Sequence, residues 1–298
     1  DYAWVNRMGA FLKTWAAHRR GAKPEELFGE LPVPKISLTH DLDAIAFTPG
    51  LKIKQALSRA LSAEGATAVR ILFSRRNHDF LNELLALEHS FGVQSLWLIY
   101  ARPGLKSQSK WHLLDPTYSL DSPRVRWLLT VLRQKGHRIG LHSSFGSWRH
   151  EAWLREQREE LRKYLGVAPV DVRQHWLRFA TKITWNAQRA SGFKRDYTLG
   201  FNNRAGFRAS TSLPIQTHLN GIVAIPTILM DSNLYTRSLR ESSERRELIR
   251  RLLDEVEQFG GNCAVNWHPH TLAPAYRWLE TYRYLLAELQ KRRLEIVA

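Results

Sequence analysis

The sequence predicts an α/β fold, with most of the chain in one (β/α) barrel-like domain. Three observations lead to this class. First, 44% of the 298 residues are hydrophobic, which is enough to bury a sizeable core. Second, strand-like apolar runs alternate with helix-like segments, and such βα units form parallel sheets. Third, no glycine-rich phosphate loop follows the first strand, so an open doubly wound sheet is the less favoured alternative.

The predicted strands divide the chain into an extension and a barrel. Residues 1–34 are expected to form a helical N-terminal extension, because the prolines of LPVP break the helix before the first strand. Strands are predicted at 35–40, 94–100, 138–143, 169–175, 221–229 and 262–268. We therefore expect a catalytic barrel domain at 35–298.

Several helices between these strands have recognisable ends. Ser122 is a favoured N-cap, and Pro123 is a favoured residue of a first helical turn. Residues 151–165 have apolar side chains at helical spacing and are followed by a glycine. Similar spacing over 248–256 and 279–289 predicts the last two helices.

The composition restricts the partners of the protein. Lys plus Arg number 44 and Asp plus Glu 28, which gives a net charge of +16. The basic residues are scattered and form no nucleic-acid-binding motif, so contact with an anionic polymer or membrane surface stays open, while specific nucleic-acid binding is not expected. The single cysteine, Cys263, excludes an intramolecular disulfide and a multi-cysteine metal site. No membrane span or signal peptide is visible, so we expect a cytoplasmic protein, although the chain begins at Asp1 rather than at a methionine.

The first predicted strand, in KISLTHDLDAI, ends on Asp41 and Asp43. Side chains alternate along a strand, so both carboxylates lie on one face, about 7 Å apart along the chain. A solvated turn or a helix N-cap would explain two aspartates here. A bound cation would explain them equally well.

Further polar side chains follow the other predicted strands. His142 ends the RIGLHS strand, Arg173 and His175 end the VDVRQH strand, and His268 ends the last strand. In barrels of βα units, the carboxyl ends of the strands form the catalytic face. Carboxylate and imidazole are preferred ligands of Zn²⁺, and a hydrolytic site needs about three of them plus a water. One aspartate would then bind the ion, and the other would accept the proton of that water.

In this order, the stretches LTHDLD, IGLHSS, RQHWLRF, GFKRDYTLGF and VNWHPH resemble the motifs of the polysaccharide deacetylases of the NodB-homology type, over about residues 35–270. The resemblance implies a distorted (β/α)7 barrel and a metal-dependent hydrolase of non-peptide C–N bonds. It also implies a divalent metal ion as cofactor, with Zn²⁺ expected, and an acetylated glycan or amino sugar as substrate.

The resemblance assigns roles to individual residues of the first three motifs. It implies Asp41 as the general base and Asp43 as a metal ligand. His142 is implied as a second ligand, and Arg173 is implied to keep the base aspartate charged.

The later motifs supply a second group of candidates. The resemblance implies a supporting catalytic role for Asp196 and the role of general acid for His268. Arg208, in GFRASTS, is a candidate for substrate binding or for sharing the role of the motif arginine. A loop arginine paired with a surface acid is the alternative interpretation of Arg208.

The second motif departs from the family's pattern. The family has H-x-x-x-H at this point, and position 146 of this chain is Gly, so the usual third ligand is missing. His175 is the favoured replacement, because it lies two residues past the motif arginine on the same strand face. His150 is less favoured, since it stands at the start of a helix and is expected to face solvent. The predicted metal ligands are Asp43, His142 and His175.

The predicted function is removal of an N-acetyl or related acyl group from a sugar or cell-surface polysaccharide. The alternatives are a catalytically degenerate barrel that binds glycan, a deacylase or amidase acting on a non-carbohydrate C–N bond, and an anionic-polymer binder. Sugar rings stack on aromatic faces, but strand alternation favours core positions for Trp176 and Trp267. The helical spacing of Trp4 and Trp15 also favours packing.

Overall fold

The computed structural model describes residues 2–61, 64–74, 78–102, 114–217, 221–236, 238–239 and 241–298. Within these ranges the strands are β1 (Pro34–Leu42), β2 (Leu96–Tyr100), β3 (Arg138–Ser143), β4 (Asp171–Gln174), β5 (Arg195–Asp196), β6 (Ile215–Gln216), β7 (Val223–Ala224), β8 (Thr227–Met230), β9 (Gly261–Asn266) and β10 (Glu295–Val297). The helices are α1 (Trp4–Arg19), α2 (Pro24–Phe28), α3 (Pro49–Leu61), α4 (Gly65–Leu72), α5 (Phe80–Ser90), α6 (Pro123–Gln134), α7 (Glu151–Leu165), α8 (Thr181–Ala190), α9 (Asp231–Leu234), α10 (Ser242–Phe259) and α11 (Leu279–Lys291).

The strands form a curled parallel sheet that closes into a distorted barrel of seven strand positions. Parallel pairing runs from β5 through β4, β3, β2 and β1 to β9 and β8. The run 223–230, which contains β7 and β8, joins the two ends of this series. Its Ile225 amide donates to Asp196 of β5, while its Pro226 carbonyl accepts from Ala264 of β9. The predicted α/β class and barrel are confirmed.

The predicted strands coincide with observed ones, and the missed strands are very short. β7, also of two residues, lies within the predicted run 221–229, whereas the missed strands β5 and β6 have two residues each and β10 has three. Such strands are too short to show an alternating apolar pattern. The strand predicted at 169–175 ends one residue early, because His175 already begins a 3-10 turn, His175–Leu177.

The predicted helix ends have the expected local chemistry. The Ser122 side chain accepts a hydrogen bond from the Val125 amide at the start of α6, and Pro123 occupies the first turn. Helix α7 ends at Gly166, whose φ of 78° is left-handed and therefore suits glycine. The helices cover the outside of the barrel through apolar faces, such as Leu154 and Leu161 of α7.

The N-terminal segment contains α1 and α2, which precede the first barrel strand. Its separation from the rest of the chain at residue 34 stays a prediction. The packing expected for Trp4 and Trp15 is wrong, because each is 56% exposed. No helix in the described ranges combines the length and the apolar character that crossing a bilayer requires.

A buried polar network fixes the outer side of β1. His40 points away from the barrel interior, and its Nε2 lies 2.7 Å from Oε1 of Glu88 on α5. Glu88 also accepts hydrogen bonds from the Tyr282 hydroxyl, at 2.6 Å, and from the Ser95 hydroxyl, at 2.7 Å. All four groups are buried, so Glu88 joins β1, β2, α5 and α11 at one point.

We expect Glu88→Ala to lower the free energy of unfolding by about 3–5 kcal/mol, since it leaves three buried polar groups without their acceptor. Glu83→Ala is the matched control on the same helix, because Glu83 is partly exposed and its change should cost less than about 1 kcal/mol. Urea unfolding of both variants measures the difference. An equal loss of unfolding free energy in the two variants would show that the buried network contributes no more than a surface ion pair.

Candidate metal centre and active site

One open cleft of about 350 Å³ lies at the carboxyl ends of the barrel strands. The strand ends bring polar side chains to it from distant parts of the chain. Those carried at or just after a strand end include Asp41 of β1 and Asp43 after it, His142 of β3, His175 after β4, Asp231 after β8, and His268 after β9. The convergence follows from the parallel pairing of the strands that carry these residues, so that their carboxyl ends meet at one face.

Asp43, His142 and His175 form a group that could hold a metal ion. One ligand atom from each lies within 4.8 Å of the other two. Asp43 Oδ1 is 3.4 Å from His142 Nε2 and 3.8 Å from His175 Nε2. Asp43 Oδ1 and both ring nitrogens of His142 are buried and have no hydrogen-bond partner among the described residues.

These unpartnered atoms fit a divalent cation. Buried polar atoms are almost always hydrogen-bonded, so their lack of partners marks a place for a ligand. One carboxylate and two imidazoles are a ligand set that suits Zn²⁺ and related ions and leaves coordination positions for water or substrate. The predicted ligand set is therefore the group that the structure brings together.

The charge states of Asp43 and His175 also suit a cation. Burial by itself would raise the pKa of Asp43, but His142, His268 and His175 outweigh it and hold that pKa well below its ordinary value. Burial lowers the pKa of His175, whereas at His142 burial is outweighed by the carboxylates of Asp41 and Asp43, which raise the pKa. Asp43 and His175 thus favour the carboxylate and the neutral imidazole that bind metal, and an ion would displace a proton from His142.

Asp115 orients the third candidate ligand. Its Oδ1 lies 3.2 Å from Nδ1 of His175, and it also accepts the Phe145 amide at 2.6 Å. A carboxylate behind a histidine fixes the ring so that Nε2 faces the ion. No sequence pattern indicated Asp115, because it lies 60 residues before His175 and no strand or recognisable motif marks it.

Asp41 is held apart from the ligand group as a charged carboxylate. Its Oδ1 accepts from Arg173 at 2.8 Å, and its Oδ2 accepts from Asn266 at 2.9 Å. Burial would raise its pKa, but Arg173, His142 and His268 hold the pKa below its ordinary value. This arrangement agrees with the pairing predicted for Asp41 and Arg173, whose catalytic roles stay predictions.

His268 forms a close pair with Asp231. His268 Nδ1 lies 2.8 Å from Asp231 Oδ1, and the second oxygen accepts the His268 amide at 2.9 Å and the Thr271 hydroxyl at 2.8 Å. Burial would lower the pKa of His268, but Asp231, with Asp43 and Asp41 further away, raises it to about 10. His268 is therefore protonated at neutral pH, and its Nε2 lies 3.6 Å from Asp43 Oδ2.

Two predicted site residues lie outside the cleft. Asp196 is fully buried and accepts from Trp185, Gln188 and Thr198, and it does not line the cleft. The supporting role predicted for Asp196 stays a prediction, and the carboxylate that contacts His268 is Asp231. Arg208 donates to the Gly200 carbonyl and also lies outside the lining.

The two candidate third ligands and the two tryptophans have different positions in the structure. His150 stacks on Trp153 at the start of α7 and is not part of the metal group. Trp267 is buried in the core, as expected. Trp176 is 52% exposed and lines the cleft, so its predicted core position is wrong. The chain leaves the strand at His175, and alternation no longer applies there.

No model of a protein family matches this sequence, and no curated protein sequence matches it either. Among solved structures, the chain is similar to an assigned polysaccharide deacetylase from Mycobacterium smegmatis, with a TM-score of 0.54 and 17% identity over 88% of this chain and 85% of that one. It is also similar to the chitin deacetylase of the fungal pathogen Colletotrichum lindemuthianum, with a TM-score of 0.50 and 14% identity over 89% and 85%. The chain therefore has the fold of polysaccharide deacetylases, and the resemblance noted in the motifs extends to the fold.

We expect Asp43→Asn, His142→Gln and His175→Gln each to weaken Zn²⁺ binding by at least about 100-fold, because each removes one of three ligand atoms. His150→Gln is the matched control and should leave the affinity unchanged, since His150 lies outside the group. Competition against a chromophoric chelator measures all four affinities. Weakened binding in His150→Gln together with unchanged binding in His175→Gln would contradict the assignment of the third ligand.

Proposed function

We propose that this protein is a metal-dependent hydrolase that removes an N-acetyl or related acyl group from a sugar or a glycan. The observation that carries the proposal is the placement of three separate groups in one cleft. These are the metal-ligand group Asp43, His142 and His175, the pair Asp41–Arg173 and the pair Asp231–His268. Amide hydrolysis needs an activated water, a base and an acid, and the cleft offers a candidate for each.

A divalent ion on the three ligands supplies a Lewis acid for the acyl carbonyl and lowers the pKa of water. Asp41 is suited to accept a proton from an attacking water, because it lies beside the ligand group and is not part of it. The His142 Nδ1 to Asp41 Oδ1 distance is 4.0 Å. Arg173 and Asn266 orient Asp41 and keep it ionised.

His268 is suited to protonate the leaving nitrogen. An amine leaves poorly as an anion, so the tetrahedral intermediate needs a proton donor. Asp231 keeps His268 protonated and directs its Nε2 away from Asp231, towards the side of the cleft where Asp43 lies. Acid and base thus approach the ligand group from different strands, β9 and β1.

The cleft walls support a sugar substrate. Trp176 projects into solvent on one side, whereas Tyr276 and Trp278 also line the cleft but are only 2% and 1% exposed, so Trp176 is the aromatic face open to a sugar ring. Aromatic faces bind the apolar faces of sugar rings. A glycan-binding barrel without activity has the same walls, so the assay below separates the two functions.

Acetate release from N-acetylated oligosaccharides is the first test of the proposal. We expect release that stops after treatment with a chelator and returns when Zn²⁺ or Co²⁺ is added, because the reaction needs the metal. Glycan binding without release in the metal-loaded protein would support the degenerate barrel. Release from non-carbohydrate amides alone would support the deacylase or amidase alternative.

Variants of the proposed acid and base form the second test. Asp41→Asn and His268→Gln are expected to lower kcat by about 10²–10⁴ while the metal remains bound. Arg208→Gln is a control with kcat and KM unchanged, since Arg208 does not line the cleft. A loss of kcat in Arg208→Gln as large as in the other two would revive the substrate-binding role predicted from sequence.

A further inference from the structure

Helix α1 presents an exposed apolar stripe to solvent. Its members follow the spacing i, i+1, i+4, i+7, i+8 and i+11, which places them on one side of a helix. They are Trp4, Val5, Met8, Phe11, Leu12 and Trp15, and each is 56–69% exposed. Side chains of this size carry about 150–250 Å² each, so the stripe exposes on the order of 500 Å², at the upper end of what monomeric proteins leave uncovered.

The opposite side of α1 is anchored to the barrel domain. The Ala3 amide donates to Glu255 of α10 at 3.0 Å, and Arg7 pairs with the same carboxylate. The Asn6 amide group donates to the Ser212 hydroxyl at 2.9 Å. Ala3 and Ala17 are buried. The small and polar side of the helix therefore faces the protein, and the stripe is held outward.

The charged side chains on α1 itself are all cationic, whereas α2, which packs against α1, carries Glu25 and Glu26. No Asp or Glu occurs from Tyr2 to Lys23, and the segment contains Arg7, Lys13, Arg19, Arg20 and Lys23. Arg7 is engaged with Glu255, whereas the other four are exposed and have no carboxylate within ion-pair distance in the described structure. An exposed apolar helix face next to unpaired cations is typical of helices that lie in the surface of a membrane.

We propose that α1 is an interfacial anchor that binds the surface of an anionic phospholipid membrane. The six side chains of the stripe enter the boundary between headgroups and acyl chains. Arg19 and Arg20, at the C-terminal end of α1, contact lipid phosphates. A second copy of this chain is less suitable as the occupant, because a symmetric dimer through α1 would bring two uncompensated cationic segments together. The anchor does not depend on the proposed hydrolysis.

Sedimentation with sucrose-loaded vesicles tests the anchor directly. The purified full chain should bind vesicles that contain phosphatidylglycerol, bind pure phosphatidylcholine vesicles much more weakly, and lose affinity as salt is raised. Failure to bind phosphatidylglycerol vesicles would overturn the proposal. A failure in acetate release would leave this result untouched, since the two assays share no readout.

Two variants separate apolar insertion from simple charge attraction. Phe11→Ser/Trp15→Ser should weaken vesicle binding at least about tenfold, because two large apolar side chains no longer enter the interface. Arg19→Glu/Arg20→Glu should weaken it by about tenfold or more at low salt. The affected side chains are exposed, so unchanged thermal unfolding checks that both variants fold.

An apolar pair elsewhere that is even more exposed than Phe11 and Trp15 serves as the control. Leu61 and Phe73, at 82% and 84% exposure, lie outside α1, and Leu61→Ser/Phe73→Ser should leave vesicle binding unchanged. Equal loss in this control would overturn the assignment to α1. If only Arg19→Glu/Arg20→Glu weakened vesicle binding, the segment would bind any polyanion by charge and would not insert into a membrane. A concentration-dependent dimer that Phe11→Ser/Trp15→Ser abolishes, without vesicle binding, would identify a second copy as the occupant.

Discussion

A guanidinium buried inside the barrel connects the strand ends on which the candidate site depends. Arg173 is fully buried on β4, and it donates to Asp41 of β1, to the Tyr197 carbonyl after β5 and to the Thr227 hydroxyl of β8. Burial of a charge is costly unless it is paired and hydrogen-bonded, and these contacts supply the compensation. The same bonds that offset the burial cost hold Asp41 ionised beside the ligand group. The interior of the barrel is therefore organised around one charge pair.

The sequence predicted the parts of this arrangement that depend on local pattern. Strands with four or more residues were visible, and their polar ends indicated Asp41, Asp43, His142 and His268. The two aspartates of LTHDLD occupy different positions, as expected: Asp43 belongs to the ligand group, and Asp41 is paired with Arg173. What the sequence did not reveal are partners set by tertiary contact. Asp231 and Asp115 follow no motif, and only the closed barrel brings them behind His268 and His175.

The core position predicted for Trp176 is wrong because strand alternation was applied past the end of the strand. A spacing rule gives the face of a side chain only while the strand continues. Asp196 was implied by the motif resemblance and not by spacing, and its side chain contacts Trp185 and Gln188 outside the cleft. At His175 the strand has already ended, so the ligand reaches the group from a turn. It still meets His142, because β3 and β4 pair with His142 opposite Arg173, and the two rings lie 4.8 Å apart.

The turn that carries His175 has a backbone conformation that positions the site but lowers the local stability of the fold. Trp176 and Leu177 both have positive φ, 58° and 48°, a conformation that side chains other than glycine adopt at a cost of about 1–3 kcal/mol each. Glycine at the exposed position 176 would relieve that strain and make the folded protein more tolerant of heat, whereas at the buried Leu177 the cavity left behind would outweigh the gain. At position 176 glycine would also free the backbone next to a ligand and remove an aromatic wall of the cleft. Substitutions selected only for higher thermal stability would therefore tend to alter this turn first, as is common where strain is stored at functional sites.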